Sequence, residues 1–253
     1  MNRIRVLKTN LDKLTLDGVK ETVSMMINSE DSYYVCFCEA HLNVQAYYKK
    51  EISNVLEEAD LVLPDGVAMT LGARLLGQKF PARLPGPLIM LEICRDGVDK
   101  GYKHYFYGGE AETPELLEKN LKELIPGLNV VGHYSPPFRP LTEDEKEDVA
   151  KRISDAKPDI IWVGLGAPKQ ELWMNEFKGR LKHGVMFGVG AAFDFHAGKI
   201  KWAPRWIRKI GLEWLYRMFT GGKRVFIRNV KYESTFILLI LNQALRSKSG
   251  NRE

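Results

Sequence analysis

Nowhere in the 253 residues is there a run of eighteen or more apolar residues, so no transmembrane helix is expected. Cysteine is scarce. Cys36, Cys38 and Cys94 are an odd number with no Cys-x-x-Cys pair, which argues against a disulfide framework, and Cys36 and Cys38, on one face of a strand, read as core rather than metal ligands. Met1-Asn2-Arg3-Ile4-Arg5 carries no export signal, so the thiols are expected to be reduced and the protein cytoplasmic. Also missing are a Gly-x-Gly-x-x-Gly fingerprint and a Walker loop, which removes the main support for a dehydrogenase or an ATPase. No recognised nucleic-acid module is present, and no nucleic-acid partner is expected.

What is present is an ordinary globular composition, 45% hydrophobic, with an uneven charge distribution. From Lys199 onward there are thirteen Lys and Arg against three acids, a charge of +10; the rest carries 24 basic and 29 acidic residues, a charge of −5. A mildly acidic body of residues 1–198 is thus followed by a basic appendage of residues 199–253, suited to phosphates or to an anionic membrane face.

Within the body, strand-like and helix-like patterns alternate about six times. Tyr33–Phe37, Leu61–Leu63, His104–Tyr107, Val130–His133, Ile160–Val163 and Val185–Phe187 are short β-rich runs. Helical segments lie between them, including Asp17–Ser29, His41–Glu58, Val67–Leu76, Leu88–Lys100 and the stretch from Thr113, read as a cap, to Leu124. Thr142-x-x-Glu145 is a capping box opening a helix that runs to Ala156. Ile4–Leu7 suits an edge strand. This alternation predicts an α/β fold: a Rossmann-like, mostly parallel sheet with helices on both faces, plus a helical appendage.

Open α/β sheets bind ligands beyond the carboxyl ends of their strands. In Ala59–Val67 a short strand stops at Pro64, and Asp65 and Gly66 turn into a helix, so Asp65 lies at such an end. Three other strands end in glycines, Gly108-Gly109, Gly164/Gly166 and Gly188/Gly190, where backbone can approach a phosphate or sugar. Arg83 sits in the loop Gly77–Pro87, rich in Gly and Pro. In the appendage, Trp202–Arg217 is aromatic and basic. Arg224–Leu245 reads as a helix whose apolar block Phe236–Leu241 suits an interfacial membrane contact, core packing or a contact between copies.

Five of these pieces occur in an order that resembles the bacterial WecG/TagA/CpsF glycosyltransferase family. They are Ala59–Gly66, Ala82–Gly86, Val163–Glu171, Gly188–Gly198, and Ala203–Trp206 with Glu213–Arg217; the resemblance covers roughly residues 5–230. It implies inverting transfer of a sugar from a UDP-sugar, such as UDP-N-acetylmannosamine or UDP-glucose, to a polyprenyl-diphosphate-linked saccharide. The product would be a cell-surface polysaccharide or teichoic acid, made by a peripheral protein on the inner face of the cell membrane. An inverting transfer needs a base for the acceptor hydroxyl and positive charge on the leaving diphosphate. The resemblance makes Asp65 the general base and Arg83 a phosphate ligand. Gly108, Gly109, Gly164, Gly166, Gln170, Gly190, Asp194, Arg217 and Arg224 are expected around donor and diphosphate, and Arg205, Arg208, Lys209 and Arg228 at membrane or acceptor. Where many members carry Thr-x-Asn, this chain has Phe37-Cys38-Glu39. That argues against N-acetylmannosamine as donor, adds Glu39 as a second candidate base, and keeps in view a non-catalytic nucleotide-binding partner of a polysaccharide assembly complex. No Asp-x-Asp stands at a strand end, so transfer without a metal cofactor is expected. Homo-oligomerisation is a further expectation.

Overall fold

A computed structural model describes residues 2–29, 31–204, 207, 215–216, 220 and 222–249. The chain opens with a hairpin, β1 (Arg3–Val6) and β2 (Thr9–Asp12), followed by α1 (Leu16–Ile27). It continues through β3 (Ser32–Cys38), α2 (Ala40–Tyr48), α3 (Lys50–Glu58), β4 (Leu61–Pro64), α4 (Gly66–Leu75), α5 (Gly86–Lys100) and β5 (Lys103–Gly108). Then come α6 (Thr113–Leu124), β6 (Asn129–Tyr134), α7 (Glu143–Ala156), β7 (Ile160–Gly164), α8 (Lys169–Lys178), β8 (Gly184–Gly188) and α9 (Ala192–His196). A long helix, α10 (Gly222–Ser249), follows.

Strands β3 to β8 form one parallel sheet in the order β4-β3-β8-β7-β5-β6. Its central strands are apolar on both faces because helices cover both sides: Trp162 and Phe187 point into one buried layer, Tyr34 and Tyr107 into the other. The chain leaves β7 toward β8 on one side and β5 toward β6 on the other, so the crossovers diverge between β7 and β5, the switch point of a doubly wound sheet.

Four local readings change. Ile4–Leu7 is not an edge of the main sheet. Leu7 adopts φ 56° and turns the chain back into β2, which pairs with β1 alone. That unfavourable backbone angle is held by a hydrogen bond from the Leu7 amide to Gln243 Oε1 in α10, 2.9 Å. The single helix expected over 41–58 is two, broken where Lys49 is extended at φ −114° and ψ 111°. Helix α5 starts at Gly86 rather than Leu88. Thr113 is the first residue of α6 rather than its cap, and its hydroxyl accepts from Lys199 Nζ at 2.7 Å. The Thr142–Glu145 capping box forms as read.

Helix α10 packs on α2 and α4. Phe236 and Ile240 are 1% and 2% exposed, joining the core shared by β3, β4 and α2. Burying such a pair contributes about 4 kcal/mol. The outward side of α10 keeps Ile227, Val230, Ile237, Leu238, Leu241 and Leu245 exposed. Among the described residues, no helix is long and apolar enough to cross a membrane.

Candidate active site

The parallel register decides which strand-end residues stand together. Cys38 pairs with Pro64, so Glu39 and Asp65 are the next residues beyond paired positions on neighbouring strands. The Asp65 amide also donates to the Cys38 carbonyl, 3.0 Å. Asp65 stands at the N-cap position of α4, yet its side chain does not cap that helix. Its Oδ2 instead accepts from the Gly86 amide at 3.4 Å, at the start of α5. The amide of Leu84 donates to the Pro64 carbonyl at 3.3 Å, so the loop carrying half-buried Arg83 is docked against the end of β4. Three residues expected to act together, Asp65, Glu39 and Arg83, therefore sit on adjoining segments.

The glycine-ended strands are β8 itself and, beyond it, β7 and β5. Gly108 pairs with Gly164 at the β5–β7 switch point. A Cβ on Gly164 would come within 2.5 Å of the Phe193 ring, and one on Gly108 within 2.8 Å of the Gly164 carbonyl. These glycines let α9 and the neighbouring strand approach closely. Their region's amides are largely committed: Gly109 N–H donates to Gly164 O, Gly190 N–H to Val163 O and Gly166 N–H to Gln170 Oε1. The expectation of amides awaiting a phosphate thus meets amides used by the fold.

Gln170 is similarly engaged. Only 4% exposed, it accepts from Gly166 N–H and donates through Nε2 to Gly188 O at 2.6 Å and Glu171 Oε1 at 2.9 Å. Rather than presenting its amide to a sugar, it ties the β7–α8 loop to the end of β8. Asp194, half-buried on α9, has a backbone carbonyl that accepts from Lys199 and Ile200. The next histidine, His196, donates from Nε2 to Pro87 O, 3.0 Å, which fastens α9 to the first turn of α5, and burial lowers its pKa. Arg228 is half-buried on α10 near His41. Arg205, Arg208, Lys209 and Arg217 lie outside the described residues, as does the side chain of Arg224.

Two groups drew no role from the sequence. Glu171 is completely buried, its Oε2 has no partner among the described residues, and burial pushes its pKa up to about 7. An acid placed among the inward positions Trp173, Met174 and Phe177 of α8 was the available signal. The second group surrounds His41. Gln45 Nε2 lies 3.0 Å from His41 Nε2, Glu39 Oε1 lies 3.7 Å from His41 Nδ1, and Tyr232 of α10 meets the ring edge-on at 4.3 Å. Burial pushes the His41 pKa down, Glu39 opposes this, and Arg228 and Lys49 reinforce it. Glu233 on α10 is raised to about 7 by burial and by Glu39. Gln45 on the helical spacing from His41 was legible; the approach of α10 was not.

A family model described as glycosyl transferase WecG/TagA/CpsF family matches residues 4–250. An N-acetylglucosaminyldiphosphoundecaprenol N-acetyl-beta-D-mannosaminyltransferase of Bacillus spizizenii is 27% identical over 191 residues, 76% of this chain and 72% of that protein. A protein of the same name from Staphylococcus aureus is 26% identical over 225 residues, 88% of this chain and 87% of its own length.

Proposed function

From the premise that the chain belongs to the WecG/TagA/CpsF family and is a glycosyltransferase, we propose that it moves a sugar from a UDP-sugar onto a polyprenyl-diphosphate-linked saccharide. The acceptor named in the relatives, an N-acetylglucosaminyl-diphosphoundecaprenol, is the first acceptor to consider. The product serves cell-envelope polysaccharide or teichoic-acid-type synthesis. The observation that carries this reading is the Asp65 carboxylate, which does not cap α4 and instead accepts from Gly86 N–H at the start of α5, beside the docked Arg83 loop.

In this reading Asp65 takes the proton of the acceptor hydroxyl as that oxygen attacks the anomeric carbon from the face opposite the departing diphosphate. Configuration at that carbon inverts. Arg83, with Arg217 and Arg224 of the appendage, receives the charge that builds on UDP. Transfer proceeds without a metal cofactor, the arginines supplying the positive charge. Asp65 on β4 and Gly164 on β7 are three strand steps apart, roughly 14 Å. The nucleotide lies toward the β5–β7 crevice near Asp194, and the reacting sugar lies over β3 and β4. The appendage rests on the inner membrane face, where Arg205, Arg208 and Lys209 meet phosphate headgroups.

The test is release of UDP from a panel of UDP-sugars in the presence of an N-acetylglucosaminyl-diphosphate lipid, with and without EDTA. Turnover with at least one donor, unchanged by EDTA, is expected. No turnover with any donor sinks the transfer reading, and loss with EDTA sinks its metal independence.

A further inference from the structure

The carboxylate beside Asp65 is backed by a side-chain chain whose proton positions can be deduced. Gln45 Nε2 is a carboxamide nitrogen that donates and cannot accept, and it lies 3.0 Å from His41 Nε2. That ring nitrogen must therefore accept, and a neutral His41 carries its proton on Nδ1. Nδ1 is sealed from solvent and, among the described residues, has no hydrogen-bond partner. It faces Glu39 Oε1 at 3.7 Å, one short adjustment from a hydrogen bond. Burial disfavours a charge on the ring; Glu39 opposes this, while Arg228 on α10 and Lys49 at the end of α2 reinforce it, and Tyr232 closes the ring's edge at 4.3 Å. After burial, Glu39 is the second cause that raises the carboxyl of Glu233 on α10. It does not cap α2, its side chain is 46% exposed, and among the described residues it makes no ion pair with Lys or Arg.

We propose, on the glycosyltransferase reading above, that Gln45 and His41 are positioning residues that aim Glu39 toward the sugar beyond the paired ends of β3 and β4, beside Asp65, where Glu39 accepts hydrogen bonds from the hydroxyls of a neutral sugar and disfavours a uronate. A carboxylate offers acceptors and no donor, so it complements hydroxyl groups and repels a second carboxylate. Phe37, 5% exposed two residues earlier on β3, leaves Glu39 as the polar group this strand end presents.

Two measurements test the chain separately from turnover. Nitrogen chemical shifts of the histidine rings in the whole protein are expected to show His41 protonated on Nδ1 alone at neutral pH. An Nε2–H tautomer or an imidazolium overturns the proposal whether or not any donor is turned over. Absence of UDP release with every donor would count against the transfer reading and leave the tautomer result standing.

With turnover established, His41→Asn places an amide nitrogen where Nδ1 was, and His41→Gln places it where Nε2 was. His41→Asn is expected to keep KM within about threefold, while His41→Gln raises KM for the sugar by about tenfold with little loss of kcat. Glu39→Gln is expected to narrow the preference for a neutral over a uronate UDP-sugar, or acceptor, by about tenfold. Equal KM for the two His41 variants, or an unchanged preference in Glu39→Gln, refutes the assignment.

Discussion

The Asp65 carboxylate accepts from the Gly86 amide at 3.4 Å, so the turn into α4 and the first turn of α5 meet on one side chain. Asparagine at this position can still accept that hydrogen bond through Oδ1, but it cannot take a proton. Asp65→Asn is therefore expected to lower kcat by roughly a hundredfold to ten-thousandfold while leaving the melting temperature and UDP affinity near those of the unmodified protein. UDP release and calorimetric titration with UDP check this; retained turnover would remove Asp65 as the base.

Gln170 joins two loops through one carboxamide. Gln170→Leu leaves Gly166 N–H, Gly188 O and Glu171 Oε1 without this partner inside the fold. The expected cost is about 3 kcal/mol, or roughly 6–12 °C in a thermal melt, together with lost activity. A variant with unchanged stability and a selective rise in KM would instead mark Gln170 as a substrate contact.

Glu171 makes stability depend on pH. Burial raises its carboxyl to about 7, above the ordinary value of 4.5. Between those values the folded protein holds a proton that the unfolded chain has released. Its contribution is thus full below about pH 4.5 and is lost as pH rises through about 7. Glu171→Gln is expected to melt at nearly the same temperature as the original protein near pH 4.5 but to be more stable at pH 8 by ~3 kcal/mol. Paired melts across that range check the sign.

Phe236 fills the space that Gly72 leaves on α4: a Cβ at Gly72 would stand 2.9 Å from the ring. Gly72→Ala should push α10 away, and Phe236→Ala should leave a cavity costing about 3–4 kcal/mol. Both are expected to speed proteolytic release of the C-terminal segment before the sheet itself is cut. Unchanged digestion of both variants would show that α10 is held elsewhere.

Much of this architecture was legible because a buried parallel strand is a short apolar run ending in a turn residue. Ile160–Gly164 and Gly184–Gly188 could be read directly, and so could the position of Asp65 at the end of β4. The break at Lys49 was not, since neither Gly nor Pro marks it and only packing makes the chain extended there. Nor was the commitment of Gln170 and the glycine amides. Those bonds join β7, α8 and β8 in space, and a single sequence holds no record of which donor meets which acceptor. The cluster of Glu39, His41 and Tyr232 was hidden for the same reason, as Tyr232 arrives from almost 200 positions away.

The pairing of β3 with β8 bears on how the chain is made. The earliest strand of the main sheet lies against the latest, with Ser32 opposite Gly184. During synthesis β3 and β7 must wait for β8, each presenting a bare row of backbone donors and acceptors, the template on which other chains aggregate. Contacts this distant along the chain also slow folding. A ribosome-bound chain ending in α8 is therefore the stage most in need of a holding chaperone, and release of β8 is the event that closes the sheet.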